Sequence, residues 1–459
     1  MKHQEANFKD SAPTTMQSID IQTPKDRLPF TNPINIQESS IPIDKMAAAG
    51  EIVRRIFKIL FFLHLILLTI LIIFLTVRGL LSHHHHFHPR KWYPPLLTST
   101  GCAGIVAFTW QGITGRNPSK AIKAAFWLSP LLTGAVGILL VLIGSGGGIA
   151  IGVAAVISSV IISLYACWVN PRFQYAARIL SVSIASPPAK TTLLVFLSIL
   201  GSILYSSFLV SGIGGANASR TGLDTLFIAV IVLSLAWTMH VIKNILVVTI
   251  ARVKYMQLAA GAEINTLVAF HDTMNYCLGS VCIGSALVPL VCVIRGSARA
   301  VKLMAGGRDE FLFSCADCYS GIASTLVLYG NRWGFVYLGA YNKGFVRAAV
   351  DTWEMFGTVR FVPLIDSDLT GSFCFLSGLA GGAICSLLSG TWALVIHESR
   401  ATEVAIYAYL IGYFICRIGL AWPQACVSAY YVAYAENPQR PQFDSTIPDR
   451  IRELQRNQA

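Results

Sequence analysis

The amino-acid sequence predicts an all-α fold: a polytopic bundle of about ten transmembrane helices, with eight spans plus re-entrant segments as the alternative. Three observations predict it. Apolar residues make up 54% of the 459-residue chain and charged residues only 13%, about half the charged share of an ordinary soluble domain. The apolar residues come in unbroken runs close to the ~20 residues that a bilayer-spanning helix needs. Those runs lack the two-residue alternation of barrel strands, and an open sheet edge in lipid would leave backbone groups unpaired. A helical bundle is what remains.

The runs fall near residues 56–77, 96–114, 124–143, 147–169, 191–213, 223–250, 271–294, 311–330, 371–396 and 401–431, the seventh and eighth being the weakest. Residues 1–50 carry Pro13, Pro24, Pro29, Pro33 and Pro42 among Ser, Thr, Gln and charges, a composition that buries too little surface to fold alone. They read as a disordered cytoplasmic tail. They hold no apolar stretch of the signal-peptide kind, so the run at 56–77 is expected to act as the insertion signal. Residues 51–435 form the membrane domain and 436–459 a cytoplasmic C-terminal tail. Between the eighth and ninth runs, residues 331–370 interleave Lys343, Arg347, Asp351 and Glu354 with Phe345, Ala348, Ala349 and Trp353. That spacing predicts an amphipathic helix, either lying on the bilayer surface or packed under the bundle.

Lys and Arg orient the bundle, because short loops rich in them stay in the cytosol. With the N-terminus inside, Arg54, Arg55 and Lys58, the loop with Arg116, Lys120 and Lys123, the loop with Arg172, Arg178 and Lys190, and the tail with Arg440, Arg450 and Arg452 all fall inside. Arg295, Arg299, Lys302 and Arg308 disagree if 271–294 and 311–330 both cross, which is why a re-entrant arrangement is the alternative. Both counts place the two termini in the cytosol. The net charge of +12 is scattered at the ends of apolar runs, so it points to topology and not to nucleic acid.

Eleven cysteines, most of them inside apolar runs, predict small buried hydrophobes and no disulfide framework. His83–His86 with His88 reads as a polar loop in preference to a metal site, since no carboxylate stands nearby to orient the rings. Cys315-Ala-Asp-Cys318 is a lone CxxC and weak evidence for zinc or redox chemistry. Gly144-Ser-Gly-Gly-Gly148 joins two apolar runs and lacks the Gly-Lys-Ser/Thr ending of a phosphate loop, so it reads as a tight turn. Asn217-Ala-Ser219 is a glycosylation acceptor pattern on an expected outer loop. No nucleophile, base and oxyanion donors are jointly recognisable. The expectation is therefore no enzyme, no cofactor and no metal.

Polar groups inside apolar runs carry the functional weight, because a charge at mid-bilayer costs about 3 kcal/mol or more without a partner or an aqueous path. His240, Lys243 and Asn244 lie in the sixth run and Arg417 in the tenth. His240 and Asn244 are four residues apart and share a helix face. Lys243 reads as snorkelling toward the helix end. Trp237, Tyr276 and Trp110 are aromatic residues in spans, and aromatic faces attract ammonium groups. Each of them also suits simple interface anchoring.

Four motifs resemble one known family. Gly330-Asn-Arg-Trp-Gly-Phe-Val-Tyr-Leu-Gly-Ala-Tyr-Asn-Lys-Gly-Phe-Val-Arg-Ala-Ala-Val-Asp-Thr-Trp353 resembles a segment of the choline transporter-like proteins, and Trp237-Thr-Met-His-Val-Ile-Lys-Asn-Ile-Leu-Val-Val-Thr249 is similar to their sixth-span signature. Gly279-Ser-Val-Cys-Ile-Gly-Ser285 and Tyr434-Ala-Glu-Asn-Pro438 fit as well. The short stretch after the first run is more similar to plant and fungal members than to animal ones. The resemblance implies about ten spans, cytosolic termini, membrane lipids as surroundings, and choline or a related small organic cation as substrate. It implies the plasma membrane as location, with an endomembrane as the alternative. The expected substrate contacts are Trp237, His240, Asn244, Tyr276 and Trp110. This chain carries His240, Gln424 and Ser428 where members often have acidic residues, which leaves that set without a carboxylate. A trafficking or scaffold protein and an integral-membrane enzyme of lipid headgroups are the other classes weighed.

Overall fold

The computed structural model describes residues 43–81, 89–219, 223–305, 321, 326–359, 361–396 and 400–456. The expectations for residues 1–42, the histidine tract at 83–88, the Cys315/Cys318 pair and most of the eighth run lie outside them. Among the described residues every regular element is helical, and the protein is an all-α multi-pass membrane protein. Eight helical stretches are long and apolar enough to cross a membrane.

The long helices are α1 (Ile43–Leu81), α2 (Pro89–Arg116), α3 (Pro118–Ile143), α4 (Gly146–Val169), α6 (Thr191–Ser219) and α7 (Asp224–Ala260), with the short α5 (Phe173–Ile184) between α4 and α6. The next crossing is α8 (Thr266–Asp272), a π turn (Thr273–Cys277) and α9 (Leu278–Ala305). Three short helices follow, α10 (Gly334–Tyr341), α11 (Phe345–Thr358) and α12 (Val362–Asp366). The chain then runs through α13 (Thr370–Ile396), α14 (Ala401–Gly419), α15 (Ala421–Glu436) and α16 (Thr446–Arg456). Asn217 of the glycosylation pattern falls in the last turn of α6, where a loop was expected.

Position in the bundle explains composition. α2, α7, α13, α14 and α15 pack against several neighbours each, while α1 and α4 lie at the rim. The rim helices show rows of exposed large apolar side chains, such as Ile59, Leu63, Ile66, Ile70 and Ile73 on α1 and Ile157, Ile161 and Leu164 on α4. In water such a belt would be untenable, and in a bilayer it is the lipid-facing surface. α2 is long enough to cross yet is not among the eight most apolar stretches, since its faces meet α3, α6, α13 and α14 instead of lipid.

The turn expected at Gly144–Gly148 is present. Gly144 closes α3 at φ +76°, a left-handed conformation that suits glycine. Ser145 caps α4 by accepting from the Gly148 amide at 3.1 Å and pairs with Thr402 at 2.7 Å. Immediately beyond, Gly137 and Gly152 face one another so closely that a Cβ on either meets the other's carbonyl oxygen at 2.7–2.8 Å. Small residues bring α3 and α4 into backbone contact.

One expected segment turns out differently, and a second adopts the packed one of its two expected placements. The tenth run is not one helix: it breaks at Leu420, between α14 and α15, as Pro423 sits in the first turn of the second piece. The segment 331–370 packs into the bundle and buries its apolar stripe of Phe345, Ala348, Ala349, Thr352 and Phe356. Asn331 holds its start, donating to the Ala349 carbonyl at 2.7 Å and accepting from the Gly334 amide at 3.1 Å.

The chain after α15 folds back as α16, burying Thr446, Ile447 and Arg450. The Arg450 guanidinium lies 5.2 Å from the Tyr175 ring centroid. Asp444 organises the turn: it accepts from the Thr446 hydroxyl at 2.5 Å, the Thr446 amide at 3.2 Å and the Tyr430 hydroxyl at 2.9 Å. Burial alone pushes the Asp444 carboxyl up, but these donors and the nearby Arg178 together outweigh it and hold it below the usual carboxylate value. A depressed carboxyl stabilises the fold above its unfolded-chain pKa and loses that contribution as pH falls through the lower folded value. Hydrogen exchange of residues 446–456 is therefore expected to stay slow at pH 5 and to accelerate below about pH 4, the ordinary aspartate range. Asp444→Asn, which keeps an acceptor but does not ionise, is expected to flatten that transition.

Candidate functional site

α7 is the axis on which the candidate groups are arranged. Midway along it, Trp237 turns toward α1 and α9: its ring stands 5.5 Å from Phe61 and 5.0 Å from His64, and its indole N–H reaches the Cys282 carbonyl at 3.5 Å. His240 turns toward α14, edge-on to Phe414 at 5.6 Å. Asn244 is buried and donates to the Ser285 hydroxyl at 2.9 Å, leaving its own carbonyl oxygen without a partner.

The five residues expected to line one substrate site are not brought together. Tyr276 is 66% exposed on the outer surface. It lies in the π turn, whose wider winding re-aims the side chains that follow, and nothing in the sequence pattern signals that turn. The carbonyl of Asn275 in the same turn accepts from Lys58 of α1 at 3.2 Å. Trp110 is buried in α2. Trp237 and His240 face different neighbours because three residues on a helix differ by about 60° in direction.

Lys243 does not snorkel. It is only 7% exposed, at the centre of a 37-residue helix, and lies within electrostatic reach of Arg417 and Arg332. Arg332 is matched by Asp368, to which it is hydrogen bonded, while Lys243 and Arg417 form no ion pair among the described residues. The surroundings of His240 and Asn244 are thus positively charged. That field repels an ammonium group.

A second constellation lies about 18 Å further along α7, by the rise of 1.5 Å per residue between Lys243 and Tyr255. Glu436, the last residue of α15, accepts from the Tyr255 hydroxyl and from the Tyr341 hydroxyl, the latter at 3.3 Å. Tyr255 and Tyr341 are themselves in hydroxyl contact at 2.6 Å. The Tyr337 and Tyr341 rings lie 5.0 Å apart, and the Lys343 ammonium stands 5.5 Å from both ring centroids. Lys343 is tethered there by Asp351 at 2.6 Å, which also holds Arg347 at 2.8 Å. A carboxylate at a helix C-terminus is opposed by the helix dipole, and here the tyrosine hydroxyls offset that cost. Three tyrosines and one carboxylate thus meet beside an ammonium that lies near two ring faces.

Sequence reasoning had both halves of this site in view, as Ala340-Tyr-Asn-Lys343 and Tyr434-Ala-Glu436, without joining them. Ninety-five residues separate Tyr341 from Glu436, and no periodicity spans that gap.

A profile described as "plasma-membrane choline transporter" matches residues 153–439, which contain both constellations. The chain belongs to the choline transporter-like family. Protein PNS1 of Debaryomyces hansenii is 28% identical over 234 residues, covering 48% of this chain and 45% of that protein. PNS1 of Mycosarcoma maydis is 25% identical over 246 residues, covering 50% and 45%. A CTL-like protein of Dictyostelium discoideum is 23% identical over 355 residues, covering 73% and 61%. The aligned part of the chain spans a little under half the length of the PNS1 proteins. Membership makes this choline transporter-like chain a member of a transporter-like family and not of an enzyme family.

Proposed function

We propose that this chain is a carrier that moves choline or a related small organic amine across its membrane, and that Tyr255, Tyr337, Tyr341 and Glu436 hold the ammonium. One observation carries the reading: a cation of the chain itself, Lys343, already occupies the two ring faces beside that carboxylate. A quaternary ammonium has no N–H to donate, so ring faces and a nearby negative charge are what bind it. Lys343 is then the ammonium that the substrate displaces, and Asp351 retains Arg347 as a partner when it leaves. The reading extends to orientation and place. The C-terminal end of α7 shares its side of the bundle with Ser186 and Ala189, which accept from Lys254 and Thr266. Arg172, Arg178 and Lys190 lie in the same region of sequence, which supports a cytosolic position for that end and for both termini. The family's description supports the plasma membrane.

Vesicles containing the purified chain are expected to take up radiolabelled choline above empty vesicles. Glu436→Gln and Tyr337→Leu are expected to weaken apparent affinity about thirtyfold each, the equivalent of the ~2 kcal/mol of a desolvated cation–π contact. Lys343→Met is expected to tighten it, and Trp168→Ala, at an exposed lipid-facing position, to leave it unchanged. Uptake equal to that of empty vesicles would favour the scaffold reading. Uptake that is insensitive to Glu436 and Tyr337 would remove the amine from this site.

A further inference from the structure

The positively charged centre of the bundle is a separate matter from the tyrosine site. α7 and α14 run side by side, and His240 meets Phe414 at 5.6 Å. One turn further along each helix, three residues on, stand Lys243 and Arg417. Arg417 is pinned by α13: a Cβ built on Gly378 would touch its Cδ and Cγ at 2.9 Å. Its Nε is buried and makes no hydrogen bond, and the same is true of the Asn244 carbonyl oxygen and the Ser280 and Ser377 hydroxyls. Asp368, whose side chain is fully buried, is already matched by Arg332 and by Thr370, whose amide and hydroxyl reach it at 3.0 and 2.6 Å.

Two cations side by side in a low-dielectric interior, with no carboxylate of their own, are costly. Natural interiors satisfy buried polar groups, so the unmatched Arg417 Nε within electrostatic reach of the buried Lys243 indicates a partner from outside the chain. Its chemistry follows from the donors. A guanidinium and an ammonium together match the oxygens of a phosphate group.

We propose that Lys243 and Arg417 form an intramembrane oxyanion site that takes a phosphate group, either free or as part of a lipid headgroup. The proposal is independent of the amine site. Its failure would leave that site standing, because the two lie about 18 Å apart along α7.

The test is thermal unfolding of the full-length protein in detergent, titrated with inorganic phosphate against sodium chloride at equal ionic strength. A parallel titration uses dioctanoyl phosphatidic acid against dioctanoylglycerol. The expected result is a saturable rise in melting temperature with at least one of the two phosphate probes; response to both or to inorganic phosphate alone identifies a soluble source, and response to phosphatidic acid alone a lipid one. Lys243→Met is expected to fold, since it removes an unpaired buried charge, and to melt higher than the wild type in phosphate-free buffer. Its affinity for the responding probe is expected to fall about tenfold or more, the scale of one lost charge-assisted hydrogen bond. Glu436→Gln is expected to keep the full response. No saturable response to either probe in the wild type, or an undiminished one in Lys243→Met, would overturn the proposal.

Discussion

Replacing Gly215 by alanine is expected to lower stability in detergent by roughly 3 kcal/mol or more, the upper end of overpacking costs, because rigid backbone has to move. Gly215 lies where α6 crosses α1. An added Cβ would collide with the Leu75 carbonyl, and one on the facing Gly79 would meet the Gly215 Cα at 2.8 Å. In lipid, contacts of this kind hold helices together, since the hydrophobic effect provides no drive between apolar surfaces that are already out of water. Gly201, four turns earlier on the same helix and exposed, has nothing within 4 Å of such a Cβ. Gly201→Ala is expected to be neutral or to gain up to about 1 kcal/mol from helix propensity. Melting curves of the two variants in one detergent make the comparison, and equal values would show that the α1–α6 crossing does not depend on close approach.

Removing the Arg332 side chain is expected to cost about 3–5 kcal/mol, the range for leaving one member of a buried ion pair alone. Asp368 has no exposed side-chain surface and accepts from Arg332 and from Thr370 at the start of α13. Arg332 also lies over the Trp333 ring, 4.6 Å from its centroid. The pair joins the interrupted segment at Asn331 to α13, so its loss loosens two elements at once. Arg332→Met with Asp368→Asn keeps an acceptor for Thr370 while removing both charges. That double variant is expected to regain more than half of the loss, as neutralised buried pairs generally do. A double variant as unstable as Arg332→Met alone would mean that Arg332 acts through packing on Trp333 and not through charge.

The candidate site was legible in the sequence only in pieces. Intramembrane polarity drew notice to His240, Lys243, Asn244 and Arg417, and three of these are grouped about the α7–α14 contact. Snorkelling was a sound expectation for Lys243 from its place in the apolar run, yet α7 holds it at mid-length with its side chain buried against neighbouring helices. Tyr276 was misplaced for a different reason, since a π turn changes side-chain direction without changing the hydrophobic pattern.

What the sequence by itself determined was the class of the fold and its solvent. Charge-poor runs of spanning length admit only helices in lipid, and the short motifs between residues 237 and 438 carried the family. What tertiary structure decided was which polar groups meet. Glu436 finds Tyr255 and Tyr341 across 181 and 95 residues of chain, and Arg332 takes the buried carboxylate of Asp368. Hydrophobic periodicity fixes the face of each helix, but the pairing of faces is set by side-chain shape, glycine contacts and breaks such as Leu420, which act between segments far apart in sequence.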